Sequence, residues 1–446
     1  MPVRIRCIVS DTRSCLDVQR MARQHRGMSA LLLTGIGRLV TMDDDLGVIE
    51  DAQIFLRNGV VEWIGQGAEE PPINPGEVVE GMDCGGRAVL PGLVDAHTHL
   101  VFGGDRSDEF ARRSAGESYE TIAKAGGGIQ STVRATRLAS EEELYQSASR
   151  RLDAMCQRGV TTVEVKSGYG LDLETELKML RVIRRLADAH PMHIVSTFLG
   201  AHTVPSEYLG KRERYLDIVC EEMLPQVAEE GLATFCDVFC EEGVFTIGES
   251  RRVLERAMGL GLAAKVHGEQ LHRTGATQLA VELGAVSVDH LERADDSDIR
   301  SLADHGETTA VLLPGATLFL GWDVWAPARA LLDAGVTVAL ATDCNPGSCM
   351  CDDLPLITTL ACTRLGMSPA EALRAVTRGG AHAVGCGDTR GRLAIGYAAD
   401  VCVLDVARED QLPYRFGRVA PYAVICGGVV VTGPGMLAPH AHGMKV

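Results

Sequence analysis

The sequence predicts an α/β protein in which a (β/α)8 barrel of the TIM type stands beside a small β-sandwich domain. In the middle of the chain, short β-branched apolar runs alternate with stretches of helical period, which is the pattern of a parallel sheet. Eight such runs can be counted, the strand number of a TIM-type barrel. Further β-rich runs with turn signals occur before residue 90 and after residue 390, so both ends of the chain are expected to share the small domain.

These patterns divide the chain into four segments. Residues 1–27 carry six arginines without periodicity and are expected to form a disordered extension. Residues 28–90 are the first part of the β-sandwich, residues 91–388 are the barrel, and residues 389–446 are the second part of the sandwich. Within the first part, Asn58-Gly59 between two β-rich runs predicts a hairpin turn.

Composition narrows the class of protein. The chain has 446 residues, of which 46% are hydrophobic, so it can bury a large core. Its formal charge of -17 disfavours binding to nucleic acid or to anionic membranes, since both surfaces repel an acidic protein. It has no run of 18 apolar residues, and its first residues lack the apolar core of a secretory signal. We therefore expect a cytoplasmic protein without a nucleic-acid or membrane partner.

The barrel strands are expected to end at positions that also carry the candidate chemistry, because active sites of this fold lie at the carboxyl ends of the strands. The eight predicted ends fall near His97, Lys166, Gly200, Cys240, His267, His290, Leu313 and Asp343. Between them, leucine and isoleucine at helical spacing predict a helix from Leu173 to Asp188. Ser368-Pro369 predicts another helix start, with a capping serine before a proline at the first helical position.

Histidines and a carboxylate at these strand ends predict a metal centre. His97 and His99 are separated by one residue on an extended strand, so their side chains point the same way and can bind one ion together. His267, His290 and Asp343 follow strands five, six and eight. Nitrogen and oxygen ligands of this kind suit Zn²⁺ or Fe²⁺ with a position left open for water.

The sequence predicts one divalent ion per chain. A second ion normally needs a bridging group, often a lysine at the end of strand four. Here that strand ends Cys240-Glu241-Glu242, with no lysine. Cys344, Cys349 and Cys351 flank strand eight, but with Asp343 available they are expected to be neither ligands nor nucleophiles.

The same stretches resemble the imidazolonepropionases, a family of the amidohydrolase superfamily that acts in histidine degradation, and the resemblance extends from about residue 30 onward. The narrowest matches are Asp105-Arg106-Ser107 and Lys166-Ser167-Gly168-Tyr169, and broader ones lie around His97, Gly126, His202, His267, His290 and Asp343. The resemblance implies a barrel of the amidohydrolase kind and hydrolysis of the imidazolone ring of 4-imidazolone-5-propanoate, a small anionic heterocycle, to N-formimidoyl-L-glutamate. It also implies the metal ligands His97, His99, His267 and Asp343.

The resemblance further assigns substrate-binding residues. Those that match substrate contacts are Arg106, Tyr119, Tyr169 and His202, and those that match further substrate or product contacts are Gln270, Asn345, Gly347 and Ser348. Arg106 offers a forked pair of donors to the propanoate carboxylate. Its alternative is an ion pair with neighbouring Asp105 or Asp108, and the alternative for the tyrosines is simple packing of their rings.

In the expected mechanism the metal activates a water for attack on the ring carbonyl. Asp343 takes the proton of that water and delivers one to the leaving ring nitrogen, while His290 stabilises the oxyanion. His290 or Glu269 remains an alternative general base. Related mononuclear deaminases carry glutamate at the place of Gln270, and an amide cannot shuttle a proton at neutral pH.

Two other functions stay open at this stage. The first is a different mononuclear amidohydrolase that acts on another cyclic amide or deaminates a heterocycle, against which Gln270 and Arg106 argue. The second is a catalytically silent barrel kept for binding, which should have lost a metal ligand, and none is lost. A homodimer is expected by analogy with barrels of this kind.

Overall fold

The computed structural model describes residues 4–7, 30–117, 121, 126–417 and 420–433. The strands are β1 (Arg4–Cys7), β2 (Ala30–Val40), β3 (Val48–Arg57), β4 (Val60–Gln66), β5 (Val78–Asp83), β6 (Ala88–Pro91), β7 (Leu93–Asp95), β8 (Val160–Lys166), β9 (His193–Ala201), β10 (Phe235–Cys240), β11 (Ala263–Gly268), β12 (Ser287–His290), β13 (Thr309–Leu312), β14 (Val338–Leu340), β15 (Val401–Leu404), β16 (Pro421–Cys426) and β17 (Val429–Thr432).

The α-helices are Ser107–Ser114, Ile129–Leu138, Glu141–Cys156, Leu173–Ala189, Arg212–Asp217, Leu224–Glu229, Ile247–Met258, Ala276–Glu282, Asp296–His305, Pro314–Leu320, Ala328–Asp333, Leu354–Arg364, Pro369–Arg374, Gly380–Ala383 and Gln411–Tyr414. A 3-10 turn spans Ser206–Tyr208, and π-helical turns span Ile218–Met223 and Ala375–Gly379. In the part of the chain that the structure describes, no helix is both long and apolar enough to cross a membrane.

Strands β7 to β14 form one parallel sheet in which each strand pairs with the next along the chain. The first and last strands meet just beyond their ends, where the Asp343 amide donates to the His97 carbonyl and the His99 amide donates to the Cys344 carbonyl, each over 3.0 Å. The sheet therefore closes into an eight-stranded barrel, as the sequence predicts. The helices between successive strands cover its outer face, as right-handed crossover connections require.

The predicted strand ends agree with the observed ones to within three residues. The largest differences are at the first and last strands, because β7 and β14 end shortly before His97 and Asp343. Both side chains therefore project from the rim of the barrel, immediately after the last sheet hydrogen bonds.

The helix signals in the sequence are also confirmed. The helix Leu173–Ala189 begins at Asp172, whose side chain accepts a hydrogen bond from the Thr175 amide. Ser368 accepts from the Glu371 amide, and the Glu371 carboxylate accepts in return from the Ser368 amide. This reciprocal capping box satisfies two amides that the first turn of a helix leaves unpaired.

Among the described residues, the terminal segments form one continuous mixed sheet of nine strands. It runs β1-β5-β2-β6-β15-β16-β17, and the hairpin β3-β4 attaches to the long strand β2. At the hairpin turn Asn58 and Gly59 both have positive φ, 53° and 80°, which confirms the predicted turn. Of the predicted extension 1–27, the structure describes Arg4–Cys7, which form strand β1 parallel to β5. The rest of the extension lies outside the described residues.

A single residue separates the two sheets. Strand β6 pairs with β15 in the mixed sheet, whereas β7 pairs with β8 in the barrel, and only Gly92 lies between them. Any Cβ at Gly92 would collide with the side chain of Thr161, so a glycine is required for this close approach. The terminal sheet therefore leads directly into the strand that presents His97 and His99.

Candidate metal centre and active site

A pocket of about 420 Å³ opens at the carboxyl ends of the barrel strands. It is lined by His99, Arg106, Arg113, Ile129, Tyr169, His202, Phe239, His267, Gln270, Leu271, His290, Leu320, Trp322, Asp343, Asn345, Gly347 and Ser348. The pocket thus gathers eleven of the candidate residues from the sequence. His97 lies beneath it and is fully buried, and Tyr119 lies outside the described residues.

The floor of the pocket brings the candidate metal ligands together. Asp343 Oδ1 lies 3.6 Å from His97 Nε2 and 3.7 Å from His99 Nε2. Two sets of ligand atoms lie within 4.8 Å of one another, the first from His97, His99 and Asp343 and the second from His97, His267 and His290. His97 belongs to both sets and therefore lies at the centre of the cluster.

Buried carboxylates orient two of these imidazoles. His97 Nδ1 donates to Asp289 Oδ2 over 2.6 Å, and His267 Nδ1 lies 2.9 Å from Asp237 Oδ2. A carboxylate on Nδ1 fixes the tautomer and leaves the Nε2 lone pair free, which is how proteins commonly hold metal-binding histidines.

The unpartnered nitrogens test whether a metal fits here. In the described structure the buried atoms without a hydrogen-bond partner include the Nε2 atoms of His97 and His267. Buried polar atoms are rarely left unpaired, because each costs free energy unless it finds a partner. Three imidazoles and one carboxylate are a donor set that zinc or iron accepts. The residues therefore fit a divalent ion.

Burial also favours the neutral form of two of the imidazoles, His97 and His202. The pKa of His97 is lowered well below its ordinary value by burial and then by the positive charge of Lys166. Burial, followed by the neighbouring His267, lowers the pKa of His202 to about 3. A neutral imidazole keeps the lone pair that a metal or a substrate proton needs.

Asp343 is held by the loop that follows it. Asn345 Nδ2 donates to Asp343 Oδ1 over 2.9 Å, and Ser348 Oγ donates to Oδ2 over 3.2 Å. Burial raises the pKa of Asp343, although the neighbouring charge of His290 opposes that rise. The backbone of Asp343 has a φ of 53°, a left-handed conformation that a non-glycine residue adopts mainly where the surroundings enforce it.

His290 faces an acidic partner. Its Nδ1 lies 3.8 Å from Glu292 Oε2, and Thr317 Oγ1 donates to the other oxygen of Glu292 over 3.1 Å. Burial lowers the pKa of His290, but the negative charges of Glu292, Asp343 and Asp289 outweigh it, so the net direction is upward. His290 is therefore the imidazole of the floor that is best supported as a proton carrier or cationic donor.

The mouth of the pocket carries Arg106, whose ion-pair partner differs from the one that the sequence suggests. Arg106 Nε and Nη2 both donate to Glu109 Oε2, over 2.9 and 2.8 Å. Asp105 instead accepts from the amide and hydroxyl of Ser107. A helical turn brings residue 109 back beside residue 106, which explains the preference. Nη1 lies beside Gly347, which also lines the pocket, and a Cβ atom at position 347 would collide with Nη1.

The aromatic and amide candidates line the wall between floor and mouth. The His202 ring stacks on His99 at a centroid distance of 5.3 Å, and its Nδ1 donates to the Gly168 carbonyl over 3.0 Å. The Tyr169 ring lies 5.7 Å from His99, and Gln270 borders the same space. These side chains present ring faces, one imidazole nitrogen and an amide to a ligand.

The sequence leaves Glu269 open as an alternative general base and expects no chemical role for Cys344. The Glu269 carboxylate is buried and accepts hydrogen bonds from the amides of Thr274, Gly275 and Thr277, where it supports the start of the helix Ala276–Glu282. These contacts occupy both carboxylate oxygens and favour a supporting role for Glu269 over that of a general base. Burial raises the pKa of Cys344 well above its ordinary value, which opposes a nucleophilic thiolate, in agreement with the expectation for that residue.

A network of buried charges lies under the floor and was not predicted from the sequence. Lys166 Nζ lies 2.7 Å from Asp237 Oδ2, 3.0 Å from Glu164 Oε1 and 3.3 Å from Asp289 Oδ2. Lys265 Nζ lies 2.6 Å from the other oxygen of Glu164. Burial lowers the pKa of Lys166, but the three carboxylates raise it above its usual range. The sequence contained one signal for this network, because charged residues occupy alternate positions inside its apolar β runs.

The pocket wall also contains Arg113, Phe239 and Trp322, which no sequence motif indicates. The guanidinium of Arg113 lies over the rings of Phe110 and Phe319, at 5.7 and 5.2 Å from their centroids. Phe239 lies on strand β10, whereas Arg113 and Trp322 come from a helix and a loop that follow strands. In such segments the hydrophobic pattern does not show which side chains face a cavity.

Comparison with known proteins agrees with this geometry. Residues 88–431 match the model of the amidohydrolase family. Among solved structures, an adenosine deaminase of Xanthomonas campestris with bound zinc superposes with a TM-score of 0.68 at 20% identity, over 91% of this chain and 94% of that one. A 5-methylcytosine deaminase of Klebsiella pneumoniae gives 0.68 at 18% identity, over 90% and 98%. At these identities the likeness concerns the fold alone.

Sequence relatives are much closer. An imidazolonepropionase of Geobacillus kaustophilus is 48% identical over 88% of this chain and 92% of its own length. One of Symbiobacterium thermophilum is 47% identical over 91% and 98%, and one of Rubrobacter xylanophilus is 52% identical over 79% and 84%. Together with the site on its barrel floor, these matches place the chain in the amidohydrolase family and, within it, among the imidazolonepropionases.

Proposed function

We propose that the chain hydrolyses the cyclic amide of 4-imidazolone-5-propanoate to N-formimidoyl-L-glutamate, a step of histidine catabolism. The observation that carries this function is a single pocket with a nitrogen-and-carboxylate cluster on its floor and an arginine at its mouth. The floor suits activation of water, and the arginine suits the carboxylate of the substrate. The identity of 46% or more to curated imidazolonepropionases supports the same reaction.

One divalent ion, zinc or iron, is the cofactor that this site would hold, with His97, His99, His267 and Asp343 as ligands. When bound, such an ion supplies Lewis acidity, which lowers the pKa of a water and polarises a carbonyl. The carboxylates of Asp237 and Asp289 support the assignment, since each faces the Nδ1 atom of one ligand histidine and leaves Nε2 free.

Asp343 is the residue that moves protons in this scheme. It accepts the proton of the attacking water and returns a proton to the ring nitrogen as the carbon–nitrogen bond breaks. Asn345 and Ser348 donate to its two oxygens and so fix the direction of the carboxylate. Its burial raises the proton affinity that a general base requires.

His290 donates to the oxygen that becomes negative in the tetrahedral intermediate. The nearby Glu292 carboxylate favours the protonated imidazole, and Thr317 donates a hydrogen bond to its other oxygen. A donor that is already in place before the charge develops lowers the barrier, because little reorganisation remains.

Arg106 binds the propanoate carboxylate in this proposal. Glu109 accepts one bond each from Nε and Nη2, so the N–H groups of Nη1, which lies beside Gly347, are left to donate to the substrate. The remaining contacts of the ring and the propanoate arm are assigned to Tyr119, Tyr169, His202, Gln270, Asn345, Gly347 and Ser348. A charge-assisted hydrogen bond in this position selects an anionic substrate over a neutral heterocycle.

The direct test is turnover of 4-imidazolone-5-propanoate, generated in place from urocanate by urocanase. Loss of ring absorbance and mass detection of N-formimidoyl-L-glutamate are followed on a sample whose metal content is measured. We expect product formation that a chelator abolishes and that zinc or iron restores. Turnover unchanged after complete metal removal contradicts the metal centre, and a metal-loaded protein that forms no product contradicts the substrate.

A further inference from the structure

A third set of ligand atoms lies beneath the candidate metal centre. The carboxylates of Asp237 and Asp289 and the His267 imidazole place their ligand atoms within 4.8 Å of one another. Two carboxylates and an imidazole are suitable ligands for a divalent ion. The structure shows that a cation is already present in this set, because Lys166 Nζ lies 2.7 Å from Asp237 and 3.3 Å from Asp289.

We propose that the Lys166 ammonium takes the place of a second metal ion and is a positioning residue for the ligands of the first. This inference rests on the metal centre of the proposed function but does not depend on the identity of the substrate. Lys166 keeps the centre mononuclear by occupying the space and charge that another ion needs. Strand four supplies no bridging lysine, and strand two supplies this competing cation instead.

The argument for positioning depends on which oxygen atoms are shared. Asp237 Oδ2 accepts from Lys166 Nζ and is also the atom 2.9 Å from His267 Nδ1. Asp289 Oδ2 accepts from His97 Nδ1 and is also the atom 3.3 Å from Lys166 Nζ. Each aspartate thus connects the lysine to one ligand imidazole through a single oxygen. The position of the ammonium therefore sets the direction of both histidine rings.

The charge balance of the network explains why the lysine cannot be removed without a replacement. Glu164, Asp237 and Asp289 face the two ammonium groups of Lys166 and Lys265, and all five side chains are fully buried. Without Lys166, three carboxylates would share one cation where water cannot reach them. Buried charges left unpaired are strongly unfavourable, so the site must take up protons or another cation.

Substitutions of different size show whether the site without Lys166 takes up protons or a second metal ion. Lys166→Ala removes the charge and leaves room, so we expect it to bind two Co²⁺ or Zn²⁺ ions per chain where the wild type binds one. Lys166→Met removes the charge but fills the space, so it should stay at one ion, with an affinity about 10- to 100-fold lower, the usual loss when residues behind metal ligands are changed. Lys265→Ala is the matched control, because it removes the same charge from the same network without touching Asp237 or Asp289. The control should bind one ion with an affinity close to the wild-type value.

The measurements are metal content per chain after saturation and desalting, metal affinity by competition with a chromophoric chelator, and the visible spectrum of the cobalt form. A second ion in Lys166→Ala should appear as additional cobalt absorbance. One ion in Lys166→Ala with wild-type affinity overturns the proposal, as does an equal loss of affinity in Lys265→Ala. A wild-type protein that binds two ions also overturns it.

Folding of each variant is checked by circular dichroism and thermal unfolding. If Lys166→Ala does not fold, Lys166→Met still tests whether Lys166 affects metal affinity. Anomalous scattering from cobalt-soaked wild-type crystals then tests whether an ion can occupy the space between Asp237 and Asp289. An ion found between Asp237 and Asp289 in those crystals overturns the proposal, and an ion found only among the ligand histidines supports it. The substrate assignment fails separately, through absent turnover by a wild-type enzyme that holds one ion.

Discussion

The floor and the mouth of the pocket are held together in different ways. On the floor, the side chains of Lys166, Asp237 and Asp289 have no exposed surface, and each contacts more than one partner. At the mouth, the side chains of Arg106 and Glu109 are 11% and 16% exposed and pair one helical turn apart, and Glu109 also accepts from the Gly128 amide and the Ser131 hydroxyl. The difference indicates that the metal end is rigid before anything binds, whereas the carboxylate end relies on a pair that water can screen.

This comparison predicts the largest loss for a change on the floor. Asp343→Asn keeps the size of the side chain but removes the proton acceptor and a metal ligand. We expect kcat to fall by about 10² to 10⁴, the usual contribution of a general base, with reduced metal content. Asp352→Asn is the control, since Asp352 lies on the loop that follows Asp343 and pairs with Arg158. Retained turnover at full metal content would move the base to another residue.

A change at the mouth should affect binding rather than chemistry. Arg106→Ala removes a charge-assisted hydrogen bond of roughly 1.5–3 kcal/mol, so KM should rise about 10- to 100-fold. Metal content should remain that of the wild type, because Arg106 contacts none of the ligands. Arg112→Ala on the same helix removes an exposed pair with Glu117 and should leave KM unchanged. Parallel loss of metal and activity in the Arg106 variant would instead show a structural role.

The pH profile tests the link between His290 and Glu292. Glu292 raises the pKa of His290, so Glu292→Gln should lower it. The protonated imidazole is then lost at a lower pH, and the alkaline limb of the kcat/KM profile should move to lower pH. Thr317→Val removes the hydrogen bond to Glu292 without changing its charge and should move the limb less. An alkaline limb that stays in place would exclude His290 as the titrating donor.

The smallest effect is expected far from the pocket. Ser368→Ala removes the cap of the helix Pro369–Arg374 and should lower the free energy of unfolding by about 1 kcal/mol. Steady-state kinetics should not change, because this helix lies on the outer layer of the barrel. Chemical denaturation of the variant and of Ser368→Thr, which keeps the hydroxyl, measures the difference. A change in KM would show that the outer helices and the pocket are coupled.

The sequence predicted the barrel well because strand period, strand count and polar strand ends are local signals. His97, His99, His267 and Asp343 could be identified in that way, since each follows an apolar run directly. The shared position of these residues on one floor follows from the rule that parallel strands end on the same side.

What escaped prediction depends on contacts between distant strands. Lys166, Asp237 and Asp289 come from three strands, and nothing local reveals that their side chains meet inside the barrel. Glu269 is disfavoured as a general base because its loop turns the carboxylate toward backbone amides. Arg106 was placed at the pocket, but its pairing with Glu109 required the helix that begins at Ser107.

The single glycine between the two sheets has a consequence for the order of synthesis. Strand β6 leads through Gly92 into the strand that precedes His97. It pairs with β15, where Pro91 lies opposite Val401. The neighbour of β6 on that side leaves the ribosome only after all eight barrel strands have been made. The segment that leads to His97 and His99 therefore has its β2 neighbour early in translation, but it gains its β15 neighbour only when the chain is nearly complete.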